Sequence, residues 1–234
     1  MTKGILGRKV GMTTVFQQDG TAVPVTVLEA GPCSITQVRT LDRDGYSAVQ
    51  LGFSDKPRRL ARRSERGHVA PIGSVRSKKL AAAGVPVGER AGCEPKRFVR
   101  EFRLAEAAQF PVELKVGGAV TVNILDGVSA VDVTGITKGC GFQGTMKKHG
   151  FKGQRATHGV KKVHRHPGGT GAGTYPGNTI KGKKMAGRYG SDRVTMRNLK
   201  VVRVDADNHL LLVRGAVPGP AGAFVIIRET NKLG

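Results

Sequence analysis

The chain has 234 residues, and its 39 Lys and Arg against 17 Asp and Glu give a formal net charge of +22. Net charge does not determine a fold, but this excess excludes an ordinary metabolic enzyme as the default class and favours a polyanionic partner. Gly occurs 34 times, about twice its usual share, and Trp is absent. A core of Val, Leu, Ile and Ala is therefore expected.

The first half of the chain is typical of short strands separated by turns. Asp19-Gly20 between two apolar runs predicts a β-hairpin, and Gly31-Pro32 ends its second strand. A further turn is predicted at 42–45, and the best helix candidate is 74–83, which Gly84 stops. Strands are predicted at 5–16, 21–29, 34–40, 46–53, 98–104, 120–125 and 130–137.

The C-terminal region repeats this pattern, with strands predicted at 194–204, 209–214 and 224–228. Many short strands with close turns favour a barrel or sandwich over a parallel βαβ sheet. Strands from both ends of the chain must pair to bury their apolar faces. We therefore predict a mainly β fold: a closed β-barrel body with a long, Gly-rich, basic internal extension and few short helices. The predicted body comprises 1–132 and 192–234, with a basic arm at about 54–95, and the predicted extension is 133–191.

Between Asp132 and Asp192 lie 59 residues without a single Asp or Glu, and they include twelve Lys or Arg, four His and fifteen Gly. Charges of one sign repel one another, and the segment has too few large apolar side chains for a core of its own. A disordered basic tail would be terminal, whereas this segment lies between predicted strands. We interpret it as an internal extension that projects from a globular body and contacts a polyanion. Its candidate polyanion-binding residues are Lys138, Lys147, Lys148, Lys152, Arg155, His158, Lys161, Lys162, His164, Arg165, His166, Lys181, Lys183, Lys184 and Arg188.

A second basic cluster contains Arg58, Arg59, Arg62 and Arg63. A solvated loop is one interpretation of such a cluster. Beside the larger acid-free segment, a second phosphate-contacting arm is the better interpretation.

Residues 139–144 spell Gly-Cys-Gly-Phe-Gln-Gly, the glycine pattern of dinucleotide-binding loops. Such a loop needs a packed helix next and an acid about twenty residues later for the ribose. Here Gly150 stops the helix early, and the next acid is Asp192. The RNA-recognition-motif signature is also approached, but its β-α-β-β-α-β surroundings are missing. The glycines instead suit close approach of the backbone to a phosphate chain.

His158, His164 and His166 suggest a metal site, but the surrounding cations oppose a dication and no carboxylate is near to orient a ring. These histidines are better suited to stacking on bases or to donating to phosphate. No nucleophile is paired with a base and an orienting acid. We therefore predict no catalytic residue, no metal and no cofactor.

Two further features indicate the compartment. The cysteines are odd in number and widely spaced, so reduced thiols are expected. No apolar run approaches the roughly 18 residues that a membrane span needs, and no signal-peptide pattern is present. A cytoplasmic protein without a membrane partner is predicted.

A series of short motifs runs along essentially the whole chain, and in this order it resembles the bacterial form of the universal L-three family of large-subunit ribosomal proteins. The motifs are Lys3-Gly4-Ile5-Leu6-Gly7, Val10-Gly11-Met12-Thr13, Asp44-Gly45-Tyr46, Val49-Gln50-Leu51-Gly52, Asp132-Val133-Thr134-Gly135, Thr137-Lys138-Gly139, Gly141-Phe142-Gln143-Gly144, Thr157-His158-Gly159, His164-Arg165, Pro167-Gly168, Lys181-Gly182-Lys183-Lys184-Met185-Ala186-Gly187, Arg193-Val194-Thr195, Leu210-Leu211-Leu212-Val213 and Gly215-Ala216-Val217-Pro218-Gly219.

The resemblance implies a non-enzymatic protein whose β-barrel sits on the ribosome surface. Its extension would thread into the large-subunit (23S) rRNA, which it would bind directly near the 3′ end, and it would nucleate early subunit assembly. The implied neighbours are large-subunit ribosomal proteins fourteen and nineteen; no small-molecule substrate and no homo-oligomer are implied. The tip of the extension would approach the peptidyl transferase centre. The implied tip residues are Gly168, Gly169, Thr170, Gly171, Ala172 and Gly173.

Three departures from the family pattern matter. Cys140 occupies a position that is usually basic, so one phosphate contact is expected to be missing. Ala172 stands where the family usually has Gln, which some bacteria methylate, so that modification is not expected. Residues 54–95 match the family only weakly.

Two other classes of protein share some of these sequence features. An architectural DNA-binding protein would also be basic, but the chain offers no recognition helix and no dimer seam. A nucleotide-dependent enzyme would rest on the rejected glycine motif alone.

Overall fold

The computed structural model describes residues 3–84, 89–104 and 115–231. The described chain forms two compact units, one that runs to Ile136 and resumes at Val194, and one that comprises Thr137–Arg193. In chain order the strands are β1 (Gly4–Phe16), β2 (Ala22–Ala30), β3 (Cys33–Arg39), β4 (Ala48–Asp55), β5 (Lys96–Arg103), β6 (Ala119–Val120), β7 (Ala130–Ile136), β8 (Gly141–Gln143), β9 (Gly187–Tyr189), β10 (Arg193–Asp205), β11 (Leu210–Arg214) and β12 (Phe224–Glu229). The α-helices are α1 (Leu41–Asp44), α2 (Arg63–Val69), α3 (Val75–Ala82) and α4 (Thr145–His149), and 3-10 turns occupy Arg58–Leu60 and Val122–Leu125.

Six strands close into a barrel in the order β1-β12-β7-β10-β11-β2. Strands from the two ends of the chain pair antiparallel, with Leu6 opposite Ile226, and β1 also pairs with β2 across the predicted hairpin, with Thr13 opposite Val25. The prediction of a mainly β fold with a closed barrel and few helices is confirmed. Gly20, with φ near +79°, occupies the hairpin turn as the Asp-Gly pattern predicted.

The barrel is filled by aliphatic side chains, as the composition predicted. In β11, Leu211 and Val213 are fully buried while their neighbours are more exposed, which is the alternation of a strand with one face toward a core. Ile5, Leu28 and Ile227 join them as fully buried side chains. Burial of each such side chain stabilises the fold by about 1.5–3 kcal/mol.

The sequence did not predict a second sheet, which the strands between the hairpin and residue 121 form in the order β5-β4-β3-β6. Gly31, with a left-handed φ near +85°, redirects the chain out of the barrel after β2. The ring of Phe98 on this sheet stacks on Phe224 of the barrel at 5.1 Å, and Phe53 meets Phe224 edge-on at 6.1 Å. One continuous apolar core therefore serves both sheets.

The predicted strand at 120–125 is wrong beyond its first residue. Strand β6 ends at Val120, and a 3-10 turn with buried Val122, Ile124 and Leu125 follows. Such a turn can bury apolar side chains on every side, so a short apolar run does not distinguish it from a buried strand.

The predicted helix 74–83 corresponds to α3, and Gly84 follows it with φ near +65°. The predicted turn at 42–45 overlaps the single helical turn α1, which Gly45 caps in the left-handed region. Within the described chain, no helix combines the length and apolar character that crossing a membrane requires. Residues 85–88 of the predicted arm lie outside the described residues.

Gly7 and Gly11, four residues apart on β1, provide a matched test of packing. A Cβ atom at Gly7 would lie too close to the carbonyl oxygen of Glu29 on the paired strand, whereas a Cβ at Gly11 would meet nothing within 4 Å. We expect Gly7→Ala to lower the free energy of unfolding by about 1–3 kcal/mol. Gly11→Ala should change it by less than about 0.5 kcal/mol. Urea denaturation of both variants measures the difference, and equal stabilities would contradict the packing of β1 on β2.

Candidate nucleic-acid interface

The unit Thr137–Arg193 begins and ends on paired backbone. The N–H of Thr137 donates to the carbonyl of Asp192 at 2.9 Å. The N–H of Cys140 donates to the carbonyl of Tyr189, also at 2.9 Å. Strands β8 and β9 then form a short antiparallel ribbon, with Phe142 opposite Arg188. The glycine motif therefore opens a two-stranded ribbon.

Helix α4 follows this ribbon and has only five residues. Gly150 ends it in the left-handed region, with φ near +72°, and its N–H donates to the carbonyl of Met146 at 2.9 Å. A single turn offers no long helix on which a dinucleotide could rest. The glycines at 139–144 and Gly150 therefore shape the backbone of a ribbon and a short helix.

The loops beyond α4 are fixed by sparse polar contacts. The N–H of Gln154 donates to the carbonyl of His164 at 2.9 Å, and the His164 Nδ1 lies 2.9 Å from the carbonyl of Arg155. The His149 Nε2 lies 3.0 Å from the carbonyl of Met185. Because a carbonyl oxygen can only accept a hydrogen bond, the His164 Nδ1 and the His149 Nε2 are the protonated donors in these contacts. The contacts join distant parts of the loop without an apolar core.

The predicted RNA-binding side chains of this unit face solvent. Lys148 is half-buried, and the other fourteen are exposed. In the part of the chain that the structure describes, none of the Lys or Arg among them forms an ion pair with a carboxylate. Their charges are therefore available to an external polyanion. The residues concerned are Lys138, Lys147, Lys148, Lys152, Arg155, His158, Lys161, Lys162, His164, Arg165, His166, Lys181, Lys183, Lys184 and Arg188.

His158 and His166 are exposed, and the His164 ring is engaged with backbone. Over residues 3–84, 89–104 and 115–231, no group of three His, Cys, Asp or Glu is arranged to ligate a metal ion. His158, His164 and His166 therefore lie among exposed Lys and Arg side chains.

The predicted tip, residues 168–173, is exposed throughout. Gly168 and Gly173 have positive φ angles near +85° and +129°, which the loop requires at its two sides. Small uncharged residues between them leave the backbone accessible to a close neighbour.

Sequence reasoning missed two aromatic side chains in this unit. Phe142 is 77% exposed and Tyr175 is 90% exposed. An aromatic ring on a cationic surface is a platform on which unpaired bases stack, worth about 1–3 kcal/mol per base. The available signal was a lone aromatic residue in a Gly- and Lys-rich stretch with no apolar partner nearby in sequence.

The basic arm is folded around its four candidate arginines. Arg58 and Arg59 lie in the 3-10 turn, and Arg62 and Arg63 lie at the start of α2; all four are exposed. Ala61 is buried between them. The 3-10 turn and α2 therefore fix the backbone positions of these four exposed arginines.

Internal ion pairs neutralise part of the charge of the arm. The Nε of Arg58 donates to Glu94 at 2.9 Å, and this hydrogen bond raises the pKa of Arg58. The Lys56 ammonium lies 2.9 Å from Glu65 and lowers the pKa of that carboxyl. Arg59, Arg62 and Arg63 have no such carboxylate partner within the described ranges.

Helix α2 is anchored on the second sheet. The His68 Nε2 lies 2.6 Å from the Gln50 Oε1 on β4, and Thr36 donates its hydroxyl to the same oxygen at 2.8 Å. Burial lowers the pKa of His68, with the nearby charges of Arg90 and Arg39 acting in the same direction. The ring is therefore neutral near pH 7 and fixes one face of the helix.

Cys140 offers a test of the missing cation. Its side chain is half-buried on the ribbon, where its backbone is already paired. We expect Cys140→Lys to fold and to bind RNA more tightly by up to about tenfold, because a contact to a charged group contributes about 1.5–3 kcal/mol before desolvation is subtracted. Cys140→Met, of similar length without charge, should bind as the unchanged chain does. Competition binding measures both variants; markedly weaker binding of the Lys variant would show that the site is crowded or apolar.

A mainly β protein that carries a long, exposed, acid-free cationic segment is typical of proteins that assemble with nucleic acid. The family model described as Ribosomal protein L3 matches residues 119–210. The protein named large ribosomal subunit protein uL3 from Rhodopirellula baltica is 62% identical over 234 residues, which cover all of both chains. The proteins of the same name from Corynebacterium urealyticum and Corynebacterium aurimucosum are 48% and 45% identical over 232 residues, covering 99% of this chain and 96% of each relative. The chain belongs to the ribosomal protein L3 family.

Proposed function

We propose that the chain is a structural constituent of the large ribosomal subunit and that it binds the subunit's rRNA directly through the unit Thr137–Arg193. The family is structural and has no enzymatic activity. In bacteria the ribosome lies in the cytoplasm, where this protein therefore works.

One observation carries the proposal. The segment between Asp132 and Asp192 contains twelve Lys and Arg and no acid, and eleven of the twelve are exposed. Self-repulsion among these cations is relieved when phosphates surround them. Crowded RNA helices supply such phosphates on every side, and each contact releases a condensed counterion.

Glycine determines how the segment fits between RNA helices. Fifteen of the 59 residues are Gly, so the backbone can pass through narrow gaps and approach phosphates closely. The uncharged tip at 168–173 has cationic segments on both sides, including Arg165 and Lys181. The two sides anchor the loop while the small tip enters the tightest space, which we assign to the vicinity of the peptidyl transferase centre.

The finer parts of the proposal rest on the family resemblance. The rRNA site lies near the 3′ end of the 23S rRNA, and binding nucleates early subunit assembly. Proteins fourteen and nineteen of the large subunit are its neighbours. The arm with Arg59, Arg62 and Arg63 makes a second set of phosphate contacts.

Binding at equal salt to a 23S rRNA fragment from the 3′ region and to duplex DNA of the same length tests the proposal. We expect the rRNA to bind at least about tenfold more tightly, because folded RNA surrounds the segment whereas a straight duplex meets it on one side only. Chemical footprinting of the rRNA with and without the protein then locates the contacts. Equal affinity for both nucleic acids would favour an architectural DNA-binding protein instead.

A further inference from the structure

The basic arm contains an open cavity of about 490 Å³. Its walls come from the turn Arg58–Leu60, from α2 with the residues that follow it, and from Cys93 and Pro95 on the returning chain. The volume is within the range of about 300–1,000 Å³ that is usual for small-ligand sites. No step of the proposed function uses this cavity.

Helical spacing explains the composition of one wall. Arg63, Arg66 and Val69 are three residues apart in α2 and therefore lie on one face of the helix. Val69 is only 3% exposed and contributes an apolar surface at the inner end of the wall. Its carbonyl accepts from the N–H of Gly92 at 2.8 Å, which ties the helix to the returning chain. This backbone hydrogen bond holds the helical wall of the cavity against the returning chain.

The three arginines of the lining are not equivalent. Arg58 is paired with Glu94, and Arg63 donates through Nη2 to the carbonyl of Gly73 at 3.4 Å. The Arg66 guanidinium makes no hydrogen bond or ion pair with any residue that the structure describes. Two guanidiniums without a carboxylate partner therefore face one cavity, which favours an anionic occupant.

The rest of the lining is apolar. Pro71 and Ile72 follow the helix, and buried Pro95 faces them from the returning chain. The ligand that suits this lining combines an anion with a flat apolar face. A nucleotide has both, because its phosphate accepts bidentate hydrogen bonds from Arg and its base packs on apolar and guanidinium surfaces. A base inside a duplex is stacked and cannot enter.

We infer that this cavity binds a single unstacked nucleotide of RNA, with the phosphate on Arg66 and Arg63 and the base against Val69, Ile72 and Pro95. The inference rests on the proposed function, since the rRNA supplies the nucleotide. It adds a base-binding site to an arm that otherwise contacts phosphates.

Cys93 in the cavity wall is a built-in reporter. A bound nucleotide should shield its thiol from alkylation by N-ethylmaleimide. Burial raises the pKa of the Cys33 thiol to about 12, so that thiol stays unreactive near neutral pH. In the full-length chain with Cys140→Ser, the alkylation rate therefore reports on Cys93 alone. The rate is measured by mass spectrometry with a single-stranded RNA hexamer, a blunt RNA duplex or an acidic hexapeptide present at saturating concentration.

The hexamer is expected to slow Cys93 alkylation at least about fivefold, and the duplex less than twofold. Arg66→Ala should abolish this protection, whereas Arg8→Ala, which removes an exposed arginine of strand β1 outside the lining, should preserve it. Fluorescence anisotropy on the same samples reports total RNA binding. If RNA binds while the thiol stays unprotected, the inference fails and the proposed function stands. Equal protection by the duplex, better protection by the acidic peptide, or full protection in Arg66→Ala would also overturn it.

Discussion

RNA binding by the full-length chain is expected to weaken roughly 10³-fold between about 50 and 200 mM salt. If half of the twelve Lys and Arg in the acid-free segment contact phosphate, about six contacts form. Each contact contributes about 0.7–0.9 to the slope of log affinity against log salt, and a fourfold rise in salt then reduces affinity about 10³-fold. Anisotropy titrations with a 23S rRNA fragment at four or more salt concentrations give the slope.

Single substitutions separate phosphate contacts from the overall charge. Lys183 is exposed and lacks a carboxylate partner in the described chain, so Lys183→Ala should reduce the slope by about 0.7–0.9 if it contacts phosphate. Arg8→Ala is the matched control, because the Arg8 guanidinium already binds Glu29 at 2.6 Å. Its removal should leave the slope unchanged. An affinity that hardly depends on salt would refute electrostatic binding by this segment.

Ribosomes that carry Gly171→Trp are expected to form peptide bonds several-fold more slowly, or to respond differently to drugs at the peptidyl transferase centre. In the free chain Gly171 is exposed, and a Cβ there would approach nothing closer than the Asn178 carbonyl oxygen at 3.8 Å. Gly171 also lacks the positive φ of Gly168 and Gly173. A defect would therefore arise from what surrounds the tip in the ribosome.

Two control variants make the tip experiment specific. Gly171→Ala adds a single carbon and should behave as wild type, and Lys183→Ala removes one of many cations and should be mild. Peptide-bond formation with purified ribosomes of each variant measures the effect. Gly171→Trp ribosomes that match wild type in rate and drug response would show that the tip does not reach a functional centre.

Local signals predicted those elements whose causes lie within a few residues. Asp19-Gly20 predicted its hairpin because the connection is closed within the five residues 17–21, and Gly84 predicted the end of α3. The second sheet was missed because its separation from the barrel depends on the direction of the chain after Gly31 and on the packing of Phe98 on Phe224. Those contacts join residues more than a hundred positions apart, and no periodicity encodes them.

The same division applies to the candidate interface. The exposure of the cations could be predicted because an acid-free segment has no local partners for them. The neutralisation of Arg58 could not, since Glu94 is 36 residues away. The RNA contacts of the individual side chains stay predictions.

The hydrogen bond between Thr137 and Asp192 brings the two ends of the inserted segment together, and β7 and β10, the strands from which it departs, are neighbours in the barrel. For the barrel, the insertion is equivalent to a hairpin loop of unusual length. Loop-closure entropy grows only with the logarithm of length, so that doubling such a loop costs only about 0.6 kcal/mol. Natural variation can therefore lengthen, shorten or re-sequence the segment at little cost to the barrel. If the segment enters the rRNA as proposed, its length is set by the depth of the space it fills there, and the same barrel could serve ribosomes in which that depth differs.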